Sequence, residues 1–389
     1  MPKYFWRLLT TLVITVSFLA GNALPAKAAN IQTTAESAIL MDAGTGKILY
    51  EKNAHKELAP ASVTKLMTLL VAAEAVECGK VKLTDKVTAS EQASSLGGSQ
   101  IYLEPGETFS LKEMMISIAV GSANDACVAV AEHIYGTHEE FVDRMNQKAK
   151  DLGLKNTHFV NAYGLPADAH YTSAYDLALI GMEALKHPLV TELTAMKEYN
   201  LRNGEFKLWN TNKLLWWYEG ADGFKTGWTQ EAKYCLASTV KRDGLRLICV
   251  VMGIPEVRGH FHESIKIYNY GFANYTYKEF AAAGTKQGEI TVNKGNTSTV
   301  ELISDRAIGL CIEKGKENAC RIETHYFKNT ESAPIHKGQQ LGEVILYCGE
   351  KEEGRIKLVA KEEVKRAGLL DMVKRTVVTS YGMAPNYAN

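Results

Sequence analysis

Ser62 and Lys65 stand at the head of an apolar run, in the stretch Ala59-Pro60-Ala61-Ser62-Val63-Thr64-Lys65-Leu66-Met67-Thr68. Pro60 is a start signal, and the run behind it predicts a helix that ends before Gly79. On a helix, positions i and i+3 share a face, so the Lys65 amine can reach the Ser62 hydroxyl. A serine hydroxyl becomes a nucleophile only when a neighbouring base takes its proton. An amine is such a base only when neutral, and burial among cationic groups is what lowers a lysine pKa. The fold must therefore bury Lys65 beside Ser62. The helix N-terminus adds a partial positive charge and free N–H groups suited to an oxyanion. Alone, the pair is also compatible with Ser62 as a plain helix cap.

Two further stretches decide between these readings. Ser122-Ala123-Asn124 sits at a break between two helical runs, and Lys225-Thr226-Gly227 opens an apolar, strand-like run. The ordered set S-x-x-K, S-D-N, K-T-G belongs to class A β-lactamases and penicillin-binding proteins. In this order and context the chain resembles the D-alanyl-D-alanine carboxypeptidases, the low-molecular-mass penicillin-binding proteins, over nearly its whole mature length. The resemblance implies an α/β fold: a β-lactamase/transpeptidase-like catalytic domain, with an antiparallel sheet plus a helical subdomain and the site between them. A small all-β domain would follow.

It also implies roles. Ser62 would attack the carbonyl of a D-Ala–D-Ala bond in a peptidoglycan pentapeptide, with Lys65 accepting its proton. Ser122 would relay a proton to the leaving amine, and Lys225 would keep Lys65 neutral by like-charge repulsion. Lys225 and Thr226, in the motif completed by Gly227, would bind the terminal carboxylate. Asn124 would orient Lys65 and the substrate amide. The N–H groups of Ser62 and Trp228 would form an oxyanion hole. Trp228, just after the third motif, leaves substrate preference open. β-Lactams would act as inhibitors. No cofactor is implied, and with no C-x-x-C and no H-E-x-x-H a metal mechanism has no support.

Lys3 and Arg7 precede an apolar run from Leu8 to Ala20, and Ala26-Lys27-Ala28 offers a small-residue cleavage site. Residues 1–28 therefore read as a secretory signal peptide rather than an uncleaved anchor. Export would place the enzyme in the periplasm or at the outer face of the cytoplasmic membrane. The mature chain then carries 41 basic against 44 acidic residues with no basic block, which argues against nucleic acid as a partner. Domain boundaries follow: catalytic domain 29–280, β-rich domain 281–360 and an amphipathic tail 361–389.

Along the chain, residues 37–51 predict a hairpin around Gly44-Thr45-Gly46. Ser110 to Glu113 and Thr137 to Glu140 predict capping boxes, with Gly153 ending the second helix. Tyr234 to Val251 predicts strand, turn at Asp243-Gly244, strand, and Phe261 to Phe272 a closing helix. Ala281 to Gly288 reads as a linker. His158 and His170 read as structural, holding a loop beside the site. Trp209, Trp216, Trp217 and Trp228 either line the cleft or pack in core and rim.

If Gly315-Lys316 is a two-residue turn, Cys311 faces Cys320 and the two can form a disulfide. Leu369, Leu370, Met372, Val373 and Val377 fall within roughly a 160° helical arc. That arc is compatible with a docked helix, and the family resemblance favours a membrane-surface anchor. Two rivals to the carboxypeptidase remain. A class A-like β-lactamase needs an extra glutamate followed by asparagine four residues on, which Asp125 to Phe224 lacks. A non-turnover β-lactam sensor would carry the same catalytic groups.

Overall fold

The computed structural model of the chain describes residues 31–368. The stretch 1–28 read as a signal peptide and the tail residues from Leu369 onward lie outside the described residues.

The expected hairpin is β1 (Ser37–Asp42) and β2 (Ile48–Lys52). Asp42 builds its turn by accepting from the Thr45 amide at 2.8 Å and the Thr45 hydroxyl at 2.6 Å. A 3-10 turn, Ala61–Thr64, then leads into α1 (Lys65–Glu77). Ten of the thirteen α1 residues are buried, so this helix is enclosed on all sides rather than lying on the surface. It stops at Cys78, and Gly79 follows at φ +77°.

The helical subdomain carries a ribbon of β3 (Lys86–Thr88) and β4 (Thr108–Ser110), with α2 (Glu91–Ser94) between them. α3 (Leu111–Ile116) opens on the predicted Ser110–Glu113 capping box, with both reciprocal bonds present. Ser117–Gly121 widens into a π-helical turn before α4 (Asn124–Tyr135). α5 (His138–Asp151) starts where the Thr137 hydroxyl accepts from the Glu140 amide at 3.1 Å, and Gly153 follows its end at φ +71°. Then come α6 (Ala174–Ala184), α7 (Pro188–Ala195), the ribbon β5 (Glu198–Leu201) with β6 (Phe206–Trp209), and the short α8 (Leu214–Trp217).

Three strands complete the main sheet: β7 (Ala221–Thr229), β8 (Lys233–Arg242) and β9 (Leu245–Ile254), followed by α9 (Gly259–Asn274). The order is β2-β1-β9-β8-β7, antiparallel throughout, with the Lys225 strand at one edge. Asp243 (φ +47°) and Gly244 (φ +81°) make the predicted tight turn, whose left-handed residues match strand twist. Successive residues of β9 point to opposite faces. Gly181 of α6 lies close to Ile248, while Gly271 of α9 lies close to Leu247 and Leu40. The two helices therefore cover opposite faces of the sheet. α1 packs on α6 and against the helical subdomain, which puts its N-terminal end at the seam between sheet and helices.

The C-terminal region holds β10 (Tyr275–Ala281), β11 (Lys286–Asn293), β12 (Thr299–Ser304), β13 (Ile308–Glu313), β14 (Cys320–Tyr326), β15 (Thr330–Ser332), β16 (Gln340–Cys348) and β17 (Lys351–Ala360). β10 pairs with β13, and the other six form a second sheet in the order β14-β16-β17-β12-β11-β15. Ile290, Leu302, Leu310, Val344 and Leu358 meet in the core of this region.

Two expectations fail here. Ala281 to Gly288 is not a linker: β10 follows α9 directly and runs to Ala281, and β11 begins at Lys286. The glycine that suggests flexibility serves a close approach, because a Cβ at Gly288 would fall 1.8 Å from the Tyr326 hydroxyl. Nor does Cys311 face Cys320. Cys311 pairs with Tyr277 on β10, whereas Cys320 pairs with Cys348 on β16. The Glu317–Ala319 3-10 turn carries the chain from one sheet to the other, so no hairpin forms. The segment from Lys361 continues to pack: Val364 exchanges both backbone hydrogen bonds with Ile335, and the Ala367 amide donates to Lys294.

His138, His170 and His260 are buried, and burial lowers the pKa of each; His170 and His260 are pushed down to about 4. In the unfolded chain these rings titrate near ~6.5. Between pH 6.5 and 4 the unfolded state therefore binds more protons, and stability falls as pH falls through that window. A drop from 6.5 to about 4 is worth on the order of 3 kcal/mol for each ring. Thermal midpoints should decline from pH 7 to pH 4. His260→Phe, which preserves the stack on Tyr234, should decline less steeply; equal slopes would remove His260 from the explanation.

Candidate active site

The strand, the helix and one loop converge on Ser62. Lys65 Nζ lies 2.8 Å from Ser62 Oγ and donates to the carbonyl of Tyr163 at 2.6 Å. The predicted i, i+3 contact thus forms across the junction of the 3-10 turn and α1. No side-chain capping bond exists at the start of either segment, so the helix-cap reading of Ser62 has no support. Lys65 is fully buried, and burial pulls its pKa down to about 8, offset in part by Cys127 and Asp125. Lys225, also fully buried, is pulled well down first by burial and then by the charge on Lys65. Lys65 owes its lowered pKa first to lost solvation. The two amines share one low-dielectric region, where carrying two positive charges at once is unfavourable.

Ser122 follows the π-helical turn at φ +60°, ψ +31°, a left-handed conformation that is uncommon outside glycine. After this inversion α4 starts at Asn124. Asn124 is tied down: its amide donates to Ser99 O at 2.7 Å and its side-chain Nδ2 to Gly97 O at 2.6 Å. Its Oδ1 is buried and has no partner, leaving no hydrogen bond between Asn124 and Lys65. One residue on, the Asp125 carboxylate accepts from the amides of Ile101, Leu103 and Ala126. Cys127, in the same turn of α4, is fully buried, and burial pushes its thiol up to about 12.

The third motif lies along β7. Lys225 Nζ donates to the Thr226 carbonyl at 3.2 Å, and the Thr226 hydroxyl donates to Thr211 Oγ1 at 2.6 Å. Gly227 is required by proximity. A Cβ there would come within 2.8 Å of Pro60 O and 3.0 Å of the Ser62 amide nitrogen. The backbone of β7 thus lies directly against the turn that holds Ser62. Trp228 is 57% exposed beside this contact.

Several contributors lie outside the three motifs. Tyr163 supplies a carbonyl to Lys65, and Gly164 packs so closely that a Cβ would sit 1.9 Å from Ala61 O. Asn161 Oδ1 holds this loop by accepting from the amides of Tyr163 and Gly164. Thr211 reaches Thr226 from the segment before α8. His170 bridges Thr64 Oγ1 and the Val160 amide, while His158 Nδ1 contacts Ala169 O, so both brace the loop. The four tryptophans are surface groups, each at least 39% exposed. Lys207 lies over Trp209, and Lys213 over Trp216.

Residues 24–256 match the D-alanyl-D-alanine carboxypeptidase family, and residues 275–366 match the penicillin-binding protein 5, C-terminal domain family. The chain is 42% identical to D-alanyl-D-alanine carboxypeptidase DacF of Bacillus subtilis (strain 168) over 384 residues, covering 95% of this chain and 98% of the relative. Penicillin-binding protein 5 from Haemophilus influenzae is similar in structure, with a TM-score of 0.71 and 33% identity over 87% of this chain and all of that one. Penicillin-binding protein D2 from Listeria monocytogenes, solved with ampicillin bound, has a TM-score of 0.58 and 32% identity over 62% of this chain and 99% of its own.

A base whose pKa is about 8 is half neutral at that pH and fully available above it. The rate at which an acylating reagent labels Ser62 should therefore rise with pH and level off above about 8. Rapid-quench labelling from pH 6 to pH 10 measures this. A profile flat across that range would show that Lys65 is not the base.

Proposed function

The chain belongs to the D-alanyl-D-alanine carboxypeptidase family, and from that premise we propose how its own residues carry out the hydrolysis of a terminal D-Ala–D-Ala bond. The supporting observation is the buried Lys65 amine, its pKa brought down to about 8, at 2.8 Å from Ser62 Oγ. Neutral Lys65 takes the Ser62 proton as the oxygen attacks the carbonyl of the penultimate D-alanine. The Ser62 and Trp228 N–H groups hold the oxyanion, consistent with the close packing of Gly227 against the Ser62 amide. Ser122 passes a proton to the departing D-alanine amine. Lys225, with the Thr226 hydroxyl held by Thr211, receives the terminal carboxylate, which makes a free C-terminus a requirement. The unpartnered Asn124 Oδ1 accepts a substrate N–H, satisfying an acceptor otherwise costly to leave buried. Water then clears the acyl group from Ser62.

β-Lactams enter the same reaction as mimics of the D-Ala–D-Ala terminus. Their leaving amine stays tethered after ring opening and occupies the path of the attacking water. With no dedicated glutamate for deacylation, the penicilloyl group is released far more slowly than the peptidyl group. On this reading the chain is exported after removal of residues 1–28, and the tail from Leu369 rests on the membrane surface through its apolar arc.

A pentapeptide ending in D-Ala–D-Ala should release free D-alanine, and prior treatment with penicillin should stop it. Ser62→Ala should abolish release, and Lys65→Ala should cost roughly 10⁴-fold or more, the scale seen when one member of a nucleophile–base unit is removed. Labelled penicillin should form a long-lived adduct on Ser62. Rapid turnover of that adduct with an uncleaved pentapeptide would instead identify a β-lactamase.

Deleting Leu369 to Asn389 should move the enzyme from the membrane fraction to the soluble fraction with D-alanine release intact. Identical fractionation of both forms would mean that the tail does not anchor.

A further inference from the structure

β14 and β16 run antiparallel, and their register sets Cys320 directly opposite Cys348. The Gly349 amide donates to Ala319 O at 2.8 Å, so a ladder hydrogen bond flanks the cysteine pair instead of joining it. That pattern defines a non-hydrogen-bonded position, where facing Cα atoms stand ~4.5 Å apart and side chains are at their closest. Such a separation lies within the roughly 4.4–6.8 Å that a disulfide spans. The thiols are already in contact, with the two sulfurs 3.1 Å apart. The remaining strand cysteines face other residue types: Cys235 faces Gly227, Cys249 faces Leu40 and Ser238, and Cys311 faces Tyr277.

Among the described strands, β14 is an edge strand, paired with β16 alone. Its first residue is also a junction: Lys278 of β10 donates to Glu317 O at 2.6 Å and to Cys320 O at 3.4 Å, linking the two-stranded sheet to the start of β14. A covalent bond at this point would fix the edge strand where the two sheets meet.

We propose that Cys320 and Cys348 are a modification site, oxidised to an intrachain disulfide that staples the C-terminal domain. The oxidant is a small-molecule or protein disulfide. Cys348 is half-buried and Cys320 buried, so Cys348 meets the oxidant first. Its thiolate attacks one sulfur of the oxidant, releasing one thiol and leaving a mixed disulfide. Cys320 then attacks Cys348 Sγ and displaces the second thiol. The two electrons pass to the oxidant's disulfide, and the two cysteine protons end on the two released thiols.

Reduced full-length protein incubated with oxidised glutathione should lose about 2 Da of mass and titrate two fewer free thiols than its seven cysteines provide. Digestion should yield a peptide joining Cys320 to Cys348. The thermal midpoint of the C-terminal transition should rise by roughly 5 °C or more, because the bond closes a separation of 28 residues in the unfolded chain. D-alanine release should be unchanged. Cys348→Ser, at the more exposed position, should show none of these effects, and Cys320→Ser should trap glutathione on Cys348. The proposal is overturned if the wild-type protein retains all its free thiols, if it stops at a stable mixed disulfide, or if the midpoint does not move on oxidation.

Discussion

Burial of the Lys65 amine against Ser62 is the constraint on which the rest of the catalytic domain depends. An isolated ammonium taken out of water costs several kcal/mol, and a second one nearby adds repulsion. The fold encloses both Lys65 and Lys225 completely. It offers Lys65 one carbonyl, from Tyr163, and Lys225 the carbonyl of its own neighbour Thr226. Carbonyls can accept from a neutral amine and do not neutralise a charge as a carboxylate would. The nearby carboxylate, Asp125, is occupied by three backbone amides. The outcome is an amine whose pKa falls to about 8 beside the Ser62 hydroxyl, at a cost in stability that the largely buried α1 helix offsets through apolar burial.

Close backbone approach does the positioning. Gly164 abuts the Ala61 carbonyl, and Gly227 abuts Pro60 and the Ser62 amide, so the loop and the edge strand press on the turn that carries Ser62. Any side chain at either position would have to push one of these segments away. Ala61 itself sits at φ +49°, a conformation held by this surrounding packing. The edge position of β7 has its own logic. One side of the strand is paired with β8, and among the described residues the other carries no strand partner, which is where an extended peptide can lie.

The C-terminal domain is built on different physics. Its core is made of apolar strand residues from two sheets. It touches the catalytic domain through polar contacts, including the Lys47–Glu353 ion pair at 3.2 Å and an Arg306 bond to Gly44 O. Such contacts position one domain on another while leaving the surroundings of Ser62 to the first.

By itself the sequence determined the Ser62–Lys65 pair and most of the local scaffolding around it. S-x-x-K is legible because helical geometry fixes which side chains meet at three residues' separation. The Ser110 capping box, the Asp243-Gly244 turn and the Gly44-Thr45-Gly46 hairpin are legible because each is a short-range hydrogen-bonding or φ requirement. Only the tertiary structure decided what depends on long-range register. Tyr163 accepts from Lys65 through a backbone carbonyl that any residue could supply, so its type says nothing of its role. Thr211 reaches Thr226 across a segment whose path no local rule dictates. Gly288 reads as flexible until Tyr326 is placed over it. Cys320 meets Cys348 instead of Cys311 because β13 and β14 belong to different sheets. Local patterns set which strands form, whereas the partner of each strand is set by the apolar core that several distant segments must close together.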